Sequence, residues 1–439
     1  MRQVLGKELP PGPHLPRAVQ TCLFWRWPFE YLEQSSHRHG SRFTLRPTSR
    51  PPLVFLSDPA DIKAMFAAPA DVLHPGEGGA IITPIVGESS FMLCDEQEHL
   101  DGRKRMLPGL HTKLVQQHGE LVADIARREA ASWPRDVPFA LHPHLRALTL
   151  EIVLRTIFGA SPPTDRCLYA LRDRLLGMLA VTASGVFPEP LLRHGPGRRI
   201  WTRFLCARAE VDRLIYAIIE DRARAGGCSG SLLDKLLAAR NHDGSPMSSR
   251  QVRDNLMSVV LAGHETTASE LAWTFQLLAH NPIVLERLIE EIDGGAGEEY
   301  LTATIQEVLR HRPVFLFTIP RAVKQPIVLG GWTYRPGAQL LGCIYLLHHD
   351  PALYPQPHEF RPERFLGTPP PSYAWLPWGG GRKRCPGLHL AMLELKTVLR
   401  TVLASTTVLP AARRIEHPRW RSVIVTPHAG SRVVLRPRR

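Results

Sequence analysis

The sequence predicts a mainly α-helical fold with small peripheral β-sheets. From residue 59 to about residue 310, apolar residues recur at intervals of three and four, as they do on one face of a helix. Short β-rich runs bounded by turn residues precede and follow that stretch. No internal repeat or low-complexity linker divides the 439 residues, and 44% of them are hydrophobic. We therefore expect residues 1–439 to form one domain with a sizeable core.

The elements are predicted in chain order as follows. Residues 1–18 are rich in proline and should form an extended lead-in, and "FTLRP" with "PPLVFLSD" should form a short hairpin. The helical stretch follows, and after residue 313 the chain becomes irregular with short strands. One more helix is expected from about Leu388 to Ala404, and "RSVIVTPHAGSRVVL" should form a closing hairpin.

Charge and hydropathy limit the partners and the location of the chain. The formal net charge is +13, which is compatible with nucleic acid, an acidic protein partner or an anionic surface. No nucleic-acid recognition motif accompanies that charge, so we expect no nucleic-acid binding. No signal peptide is visible, and the apolar run "TCLFW" stops at Arg26, well short of the roughly 18 residues that span a bilayer. We expect a cytoplasmic monomer without a membrane span.

The seven cysteines are scattered and contain no CxxC pair, which is typical of a reduced protein. Cys385 stands out because it lies in "WGGGRKRCPG", residues 378–387, directly after three cations. Nearby cations and a helix starting at Pro386 would lower the pKa of its thiol. The sequence suggests no histidine base for a nucleophile and no further ligands for zinc. A structural cysteine and a single thiolate ligand to haem iron both remain open for this stretch alone.

Four segments together resemble the cytochrome P450 family. "WGGGRKRCPG" is similar to its haem loop, although tryptophan and lysine stand where phenylalanine and arginine or histidine are usual. "AGHETT" (262–267) resembles the distal-helix signature, "EVLR" (307–310) the Glu-x-x-Arg signature and "FRPERF" (360–365) the segment whose arginine joins it. "EVDR" (210–213) has the same Glu-x-x-Arg spacing and would be an ordinary surface ion pair. The order of the four segments favours 307–310 over it.

This resemblance implies a cytochrome P450 fold and a haem-thiolate site. The cofactor would be haem b (iron protoporphyrin IX) with Cys385 as the iron ligand, and O2 would be a co-substrate. Electrons would come from NAD(P)H through a ferredoxin or flavodoxin with its reductase. The residues implied to contact the haem are His99, Arg103, Ala262, Gly263, Arg321, Trp378, Gly379, Lys383, Cys385 and Gly387.

The distal helix should run from about Ser249 to His280, with Ser248 and Gln251 as a capping box. By resemblance, Thr266 would hydrogen-bond bound oxygen, and Glu265 would feed protons to it through water. The small residues at 262 and 263 would leave room for a flat macrocycle.

The resemblance also implies a structural ionic cluster of Glu307, Arg310 and Arg364. Residues 78–87 would form a mobile loop over an apolar pocket. For each pocket candidate, plain core packing is about as good an interpretation as substrate contact. The candidates are Ile81, Ile82, Ile85, Val259, Val314, Phe315, Phe317 and Thr426.

The function predicted in this way is hydroxylation or epoxidation of an apolar small molecule. The substrate candidates are a terpenoid, a polyketide, a fatty acid or another secondary metabolite. The alternatives are a haem-thiolate isomerase, dehydratase or peroxygenase that needs no electron supply, and a haem gas-binding protein. The intact Glu265–Thr266 pair favours the monooxygenase. Arg382 or Arg384, with Lys104 and Arg105, would form a basic patch that steers an acidic redox partner.

Overall fold

The computed structural model describes residues 9–48, 50–110, 115–159, 162–182, 197–226, 230–295, 297–421 and 423–438. Residues 1–8 of the predicted lead-in, and Cys228, lie outside that part of the chain. Within it, the predicted mainly helical architecture with small sheets is confirmed.

Helices make up most of the described chain. They are α1 (Arg17–Arg26), α2 (Pro28–His39), α3 (Pro59–Ala67), α4 (Pro75–Gly78), α5 (Thr83–Val86), α6 (Glu96–Met106), α7 (Gly119–Ala131), α8 (His142–Phe158), α9 (Pro162–Thr182), α10 (Arg198–Arg224), α11 (Leu232–Ala238), α12 (Ser249–His280), α13 (Pro282–Gly294), α14 (Glu299–His311), α15 (Ile344–His348) and α16 (Leu388–Leu403). Short 3-10 turns span Ala80–Ile82, Leu107–Gly109, Pro362–Phe365 and Gly381–Lys383.

The strands form small sheets. They are β1 (Arg42–Leu45), β2 (Leu53–Leu56), β3 (Leu73–His74), β4 (Phe139–Ala140), β5 (Arg321–Val323), β6 (Ile327–Leu329), β7 (Trp332–Tyr334), β8 (Gln339–Gly342), β9 (Thr406–Pro410), β10 (Pro418–Arg421), β11 (Ile424–Pro427) and β12 (Arg432–Pro437). The order in the largest sheet is β1-β2-β8-β5-β3, with β2 and β8 parallel. The β1–β2 pair is the predicted N-terminal hairpin.

Helix α12 is the central element of the core, and its predicted bounds are confirmed. Its N-terminus carries the predicted capping box, in which Ser248 and Gln251 each bond the other's backbone N–H. Along its length it contributes buried side chains to three hydrophobic clusters, which it shares with α8 to α11, with α7, α13, α14 and α16, and with β1 and β2. This central position lets one helix carry polar groups deep into the molecule.

Two predicted elements differ from the structure. The extended lead-in ends earlier than expected, because α1 starts at Arg17 after Pro16. The closing hairpin is wrong: β11 pairs with β10, whereas β12 pairs with β9 and β4. Val433 and Leu435 on β12 are fully buried, so this strand is placed by long-range packing that a local apolar pattern does not reveal.

Candidate active site

The segment around Cys385 is a tight loop between a turn and helix α16. Gly379 and Gly381 have φ values of +63° and +64°, which side chains with a Cβ rarely adopt. At Gly380 a Cβ would lie 2.4 Å from the ring of Phe66, so the glycine lets α3 approach the loop. The Cys385 N–H donates to the Trp378 carbonyl at 2.9 Å and closes the loop.

The Cys385 thiol faces the start of α16. The backbone N–H groups of Gly387 and Leu388 donate to its sulfur, and Arg103 and Arg384 are the nearest influential cations. The helix begins at Leu388 and ends at Leu403, which confirms the predicted bounds to within one residue. Burial raises the pKa of the free thiol and outweighs these groups, so the expected lowering of the pKa is wrong. A bound metal ion would reverse the balance, because a coordinating thiol loses its proton.

Helix α6 supports this loop from the other side. His99 and Arg103 are four residues apart, and both contact loop carbonyls, as expected for one helical face. Nε2 of His99 lies 3.3 Å from the carbonyl oxygen of Arg382, and Arg103 donates to that of Arg384 at 2.7 Å. Burial, followed by the charge of Lys383, lowers the pKa of His99 and favours its neutral form.

A small cavity of about 40 Å³ beside this loop is lined by His99, Lys383 and Arg321 together with Asp95 and Glu96. Asp95 already accepts two backbone N–H bonds, and Glu96 lies 2.9 Å from His74, so both acids have other partners. Lys383 and Arg321 are the cations of this cavity, and the charge of Asp95 acts on both of them. A sulfur ligand next to a cation-lined cavity fits a haem that carries propionates.

The two cations of that cavity differ in burial: Arg321 is buried and Lys383 is half-buried. Lys383 donates to the carbonyls of Met92 and Cys94 at 2.9 and 2.6 Å, and burial lowers its pKa to about 8. Arg321 lies with its guanidinium 4.6 Å from the centre of the Phe66 ring, and burial lowers its pKa to about 10. Their contact with a propionate stays a prediction.

The two small residues of the distal helix α12, Ala262 and Gly263, have different surroundings. Ala262 is exposed, and its contact with a macrocycle stays a prediction. A Cβ at Gly263, however, would lie 3.0 Å from Val153, so this glycine lets α8 pack against α12. Thr266 is partly buried, and its hydroxyl donates to the Ala262 carbonyl at 2.6 Å.

Glu265 belongs to a polar cluster that sequence reasoning did not find. Its carboxylate accepts a hydrogen bond from Nε of Arg146 at 2.6 Å, while His264 lies at 3.2 Å and His142 at 4.0 Å. Burial alone would raise the pKa of Glu265, but His264, Arg146 and His142 outweigh it and lower the pKa to about 2. Arg146 lies 119 residues before Glu265, and no local sequence pattern links the two.

The predicted ionic cluster forms below the loop. Arg310 makes a bidentate pair with Glu307 at 2.7 and 2.8 Å, and Nε of Arg364 lies 3.4 Å from Glu307. The side chains of Glu307 and Arg310 are fully buried. The alternative pair, Glu210 and Arg213, is exposed on α10, as expected for a surface ion pair.

The predicted substrate residues do not all meet in one pocket. Ile85 packs against the cluster that contains Val259, whereas Phe317 packs among the rings of Phe24, Phe55 and Trp420. Thr426 lies within β11 and is 3% exposed, so it is not at the hairpin tip as expected. The other candidates differ in exposure: Ile81 is 40% exposed, Ile82 and Phe315 are half-buried, and Val314 is buried.

The expected mobile loop is a run of short helical turns held by α12. Arg253, 1% exposed, donates to the Val86 carbonyl at 3.2 Å and to Asp212 of α10 at 2.7 Å. Asp254 accepts from the Ser89 N–H at 3.0 Å. A cleft of about 750 Å³ opens on the outer side of these turns, and no haem-loop residue lines it.

The described residues hold no group of three or more His, Cys, Asp or Glu side chains that could bind a metal ion. None of the helices among them is long and apolar enough to cross a membrane.

Comparisons with known proteins agree with this geometry. The sequence pattern of the cytochrome P450 family matches residues 9–433. The chain is 36% identical to the chain assigned as cytochrome P450 135B1 in Mycobacterium tuberculosis, over 98% of this chain and 92% of that one. It is also 36% identical to that assigned as cytochrome P450 137 in the same organism, with the same coverage.

Solved structures show the same fold. The structure of a cyanobacterial CYP120A1 with bound retinoic acid superposes with a TM-score of 0.86 and 22% identity, over 98% of this chain and 100% of that one. The cytochrome P450DA haem domain superposes with a TM-score of 0.82 and 21% identity, over 99% and 98%.

A fold built around a buried helix, with one cysteine in a glycine loop beneath it, defines a haem-thiolate oxygenase. The chain belongs to the cytochrome P450 family. It is a P450 monooxygenase, for which haem and O2 are the cofactor and co-substrate that the family implies.

Proposed function

We propose that residues 1–439 form one haem-thiolate domain that transfers an oxygen atom from O2 to an apolar small molecule. The observation that carries this proposal is the placement of Cys385: two backbone N–H groups aim at its sulfur, and α6 secures the loop from the other side. Bound haem would supply the activation of dioxygen, with Cys385 as its ligand. The protein's part is to bind, to orient and to move protons.

The propionate contacts are assigned to the cation-lined cavity beside the loop. His99, Arg321 and Lys383 line that cavity, and Arg103 lies next to the loop carbonyls. Buried cations of lowered pKa would gain most from an anionic partner, because pairing offsets the cost of removing their charge from water. Gly379 and Gly387 would keep the loop thin below the macrocycle, with Trp378 packed on the core beneath.

Proton handling is assigned to Glu265 and Thr266 on the distal helix. Thr266 is only partly buried, and its hydroxyl can turn from the Ala262 carbonyl toward bound oxygen. Arg146 holds Glu265 in place and lowers its pKa, so the carboxylate would orient the water that carries protons rather than store a proton itself. The presence of both residues favours a monooxygenase over a peroxygenase or isomerase.

The substrate and the electron supply are proposed as follows. Ile81, Ile82 and Ile85 on the turns before α6, with Val259 of the distal helix, suit an apolar substrate such as a terpenoid, polyketide or fatty acid. NAD(P)H would supply electrons through a ferredoxin or flavodoxin and its reductase, to a cytoplasmic monomer.

The thiolate assignment is tested by the spectrum of the reduced protein under carbon monoxide. We expect the long-wavelength Soret band that is diagnostic of a thiolate ligand. Cys385→Ala should abolish this band, whereas Cys343→Ala, a buried cysteine near the β-sheet, should retain it. A surviving band in Cys385→Ala would refute the assignment.

The redox partner is proposed to dock on a basic patch formed by Lys104, Arg105, Arg382 and Arg384. All but Arg105 are exposed, and Arg103 ties this surface to the loop through the Arg384 carbonyl. Opposite charges accelerate association, and salt screens that effect. Charge reversal at Lys104 and Arg384 should slow reduction by an acidic ferredoxin at low salt and leave peroxide-driven turnover unchanged. Equal reduction rates at all ionic strengths, in both proteins, would contradict docking there.

A further inference from the structure

Glu270 is an unusual residue for the middle of the distal helix. It is 2% exposed, and both of its carboxyl oxygens are buried without a hydrogen-bond partner among the described residues. Glu307 and Glu265 are also largely buried, but each has an arginine partner. A buried polar group without a partner is costly, which indicates that Glu270 has a partner the side-chain contacts do not show, such as a water or a hydroxyl in another rotamer.

The protonation state of Glu270 defines what such a partner could be. Burial raises the pKa of Glu270 well above its usual value, and no neighbouring charge counteracts it. This shift of the pKa favours the neutral, protonated form of the carboxyl group. A neutral acid has one O–H donor, and this donor requires an acceptor nearby.

Thr266 and Thr267 lie four and three residues before Glu270 on the same helix, so either hydroxyl can supply that acceptor. In a helix, residues three and four positions apart share a face, and side chains lean toward the N-terminus. Glu270 therefore leans over the turn that contains Thr266 and Thr267. The Thr266 hydroxyl donates to the Ala262 carbonyl at 2.6 Å, and the Thr267 hydroxyl donates to that of Gly263 at 3.0 Å. Each hydroxyl oxygen can still accept a hydrogen bond.

We propose that Glu270 is a positioning residue that donates a hydrogen bond, directly or through one water, to the hydroxyl oxygen of Thr266. This interaction would hold the Thr266 oxygen and let its proton turn from the Ala262 carbonyl into the pocket. Thr267 is less suited, because it is 4% exposed, whereas Thr266 is only partly buried. The inference rests on the proposed role of Thr266 but concerns a contact that can be measured without turnover.

Infrared difference spectroscopy of the purified holoprotein tests the contact. We expect a carbonyl stretching band of a protonated carboxyl group that shifts in D2O and disappears in Glu270→Gln. Glu394, also buried and of raised pKa, would give a second band, which Glu394→Gln identifies. The Glu270 band should shift in Thr266→Val and stay in place in Thr267→Val. An absent Glu270 band, or a band that only Thr267→Val displaces, would overturn the proposal.

Thermal unfolding provides a second measurement that does not depend on the spectrum. In a double-mutant cycle, Glu270→Gln and Thr266→Val should show a larger coupling than Glu270→Gln and Thr267→Val, because the proposed contact is made to Thr266 and not to its neighbour. Equal coupling in the two cycles would count against a specific contact.

The effect on proton handling separates positioning from simple packing. Glu270→Leu should raise the fraction of electrons released as hydrogen peroxide severalfold. Glu270→Gln, whose amide is still a donor, should restore most of the coupling. The carbon monoxide spectrum should stay normal in both variants, so a failure here is distinguishable from a failure of the thiolate assignment. If Glu270→Leu and Glu270→Gln behave alike, Glu270 has no positioning role.

Discussion

Two buried carboxylates of this molecule, Glu307 and Glu265, are each paired with arginine, yet their surroundings differ. Both oxygens of Glu307 are bonded within the protein, by the bidentate Arg310, by the Arg361 N–H at 2.9 Å and by Arg364. Glu265 keeps 17% of its side chain exposed, and its further neighbours are the histidines at positions 142 and 264.

The contrast shows how the same pair of residue types can serve as scaffold or as proton carrier. Arg310 also donates to the carbonyls of His348, Pro357 and Glu359, so it fixes the end of α15 and the segment 357–359 at once. The Glu265 carboxylate is bonded instead by the Arg146 side chain and is partly exposed. Complete enclosure suits a structural role, while partial exposure next to Thr266 suits proton exchange.

Breaking the enclosed cluster should have the largest effect. Glu307→Ala leaves the fully buried Arg310 without its counter-charge, which costs about 3–5 kcal/mol in comparable pairs. Urea unfolding and haem content measure the loss. Glu210→Ala is the matched control, because its Glu-x-x-Arg pair is exposed and should contribute only about 0.2–0.5 kcal/mol. A stable, haem-loaded Glu307→Ala would show that the cluster is not essential.

The second-largest effect should come from acidification, which should destabilise the region around the Glu307 cluster. Burial lowers the pKa of His349 to about 3 and lowers those of His311 and His348 as well. Below about pH 6.5 these histidines bind protons in the unfolded state but stay neutral in the folded state. The free energy of unfolding therefore falls as the pH falls. Each such histidine should cost about 2 kcal/mol between pH 7 and pH 5.

The measurement is the free energy of unfolding at pH 7 and pH 5 for the wild type and His349→Asn. On acidification the free energy of unfolding of the variant should fall by about 2 kcal/mol less than that of the wild type, which is the amount expected for one histidine. His242, exposed on the loop before α12, gives a control substitution that should not alter the difference. Identical pH dependence in His349→Asn and the wild type would mean that His349 is not held neutral.

Neutralising Glu265 should have the smallest effect on stability of the three changes. Glu265→Gln removes the charge facing Arg146, whose side chain is 14% exposed and can still bond an amide, so we expect a loss of about 1 kcal/mol. Haem binding should persist. Electron transfer should be diverted to hydrogen peroxide, and Thr266→Ala should do the same. Full coupling of electrons to product in either variant would remove that residue from the mechanism.

Much of the helical framework and the haem loop could be predicted from sequence, because their signals are local. The capping box at Ser248, the helix after Cys385 and the Glu307–Arg310 spacing each involve residues within a few positions of one another. The pairing of β12, the Arg146 contact and the clamp by Arg253 join segments far apart in sequence. Such contacts depend on tertiary packing and leave no periodic pattern in a single sequence.

The bonds that close the candidate haem site give it a particular place in the folding process. Arg103 contacts the Arg384 carbonyl across 281 residues of chain, and Lys383 reaches the Met92 carbonyl across 291. Contacts of such sequence separation form slowly, since most of the chain must be ordered before they become favourable. The site is therefore completed only after the Cys385 loop and α16, which ends at Leu403, have been synthesised. Stable haem capture should accordingly follow release of the full chain and be absent from ribosome-bound fragments that end before α16.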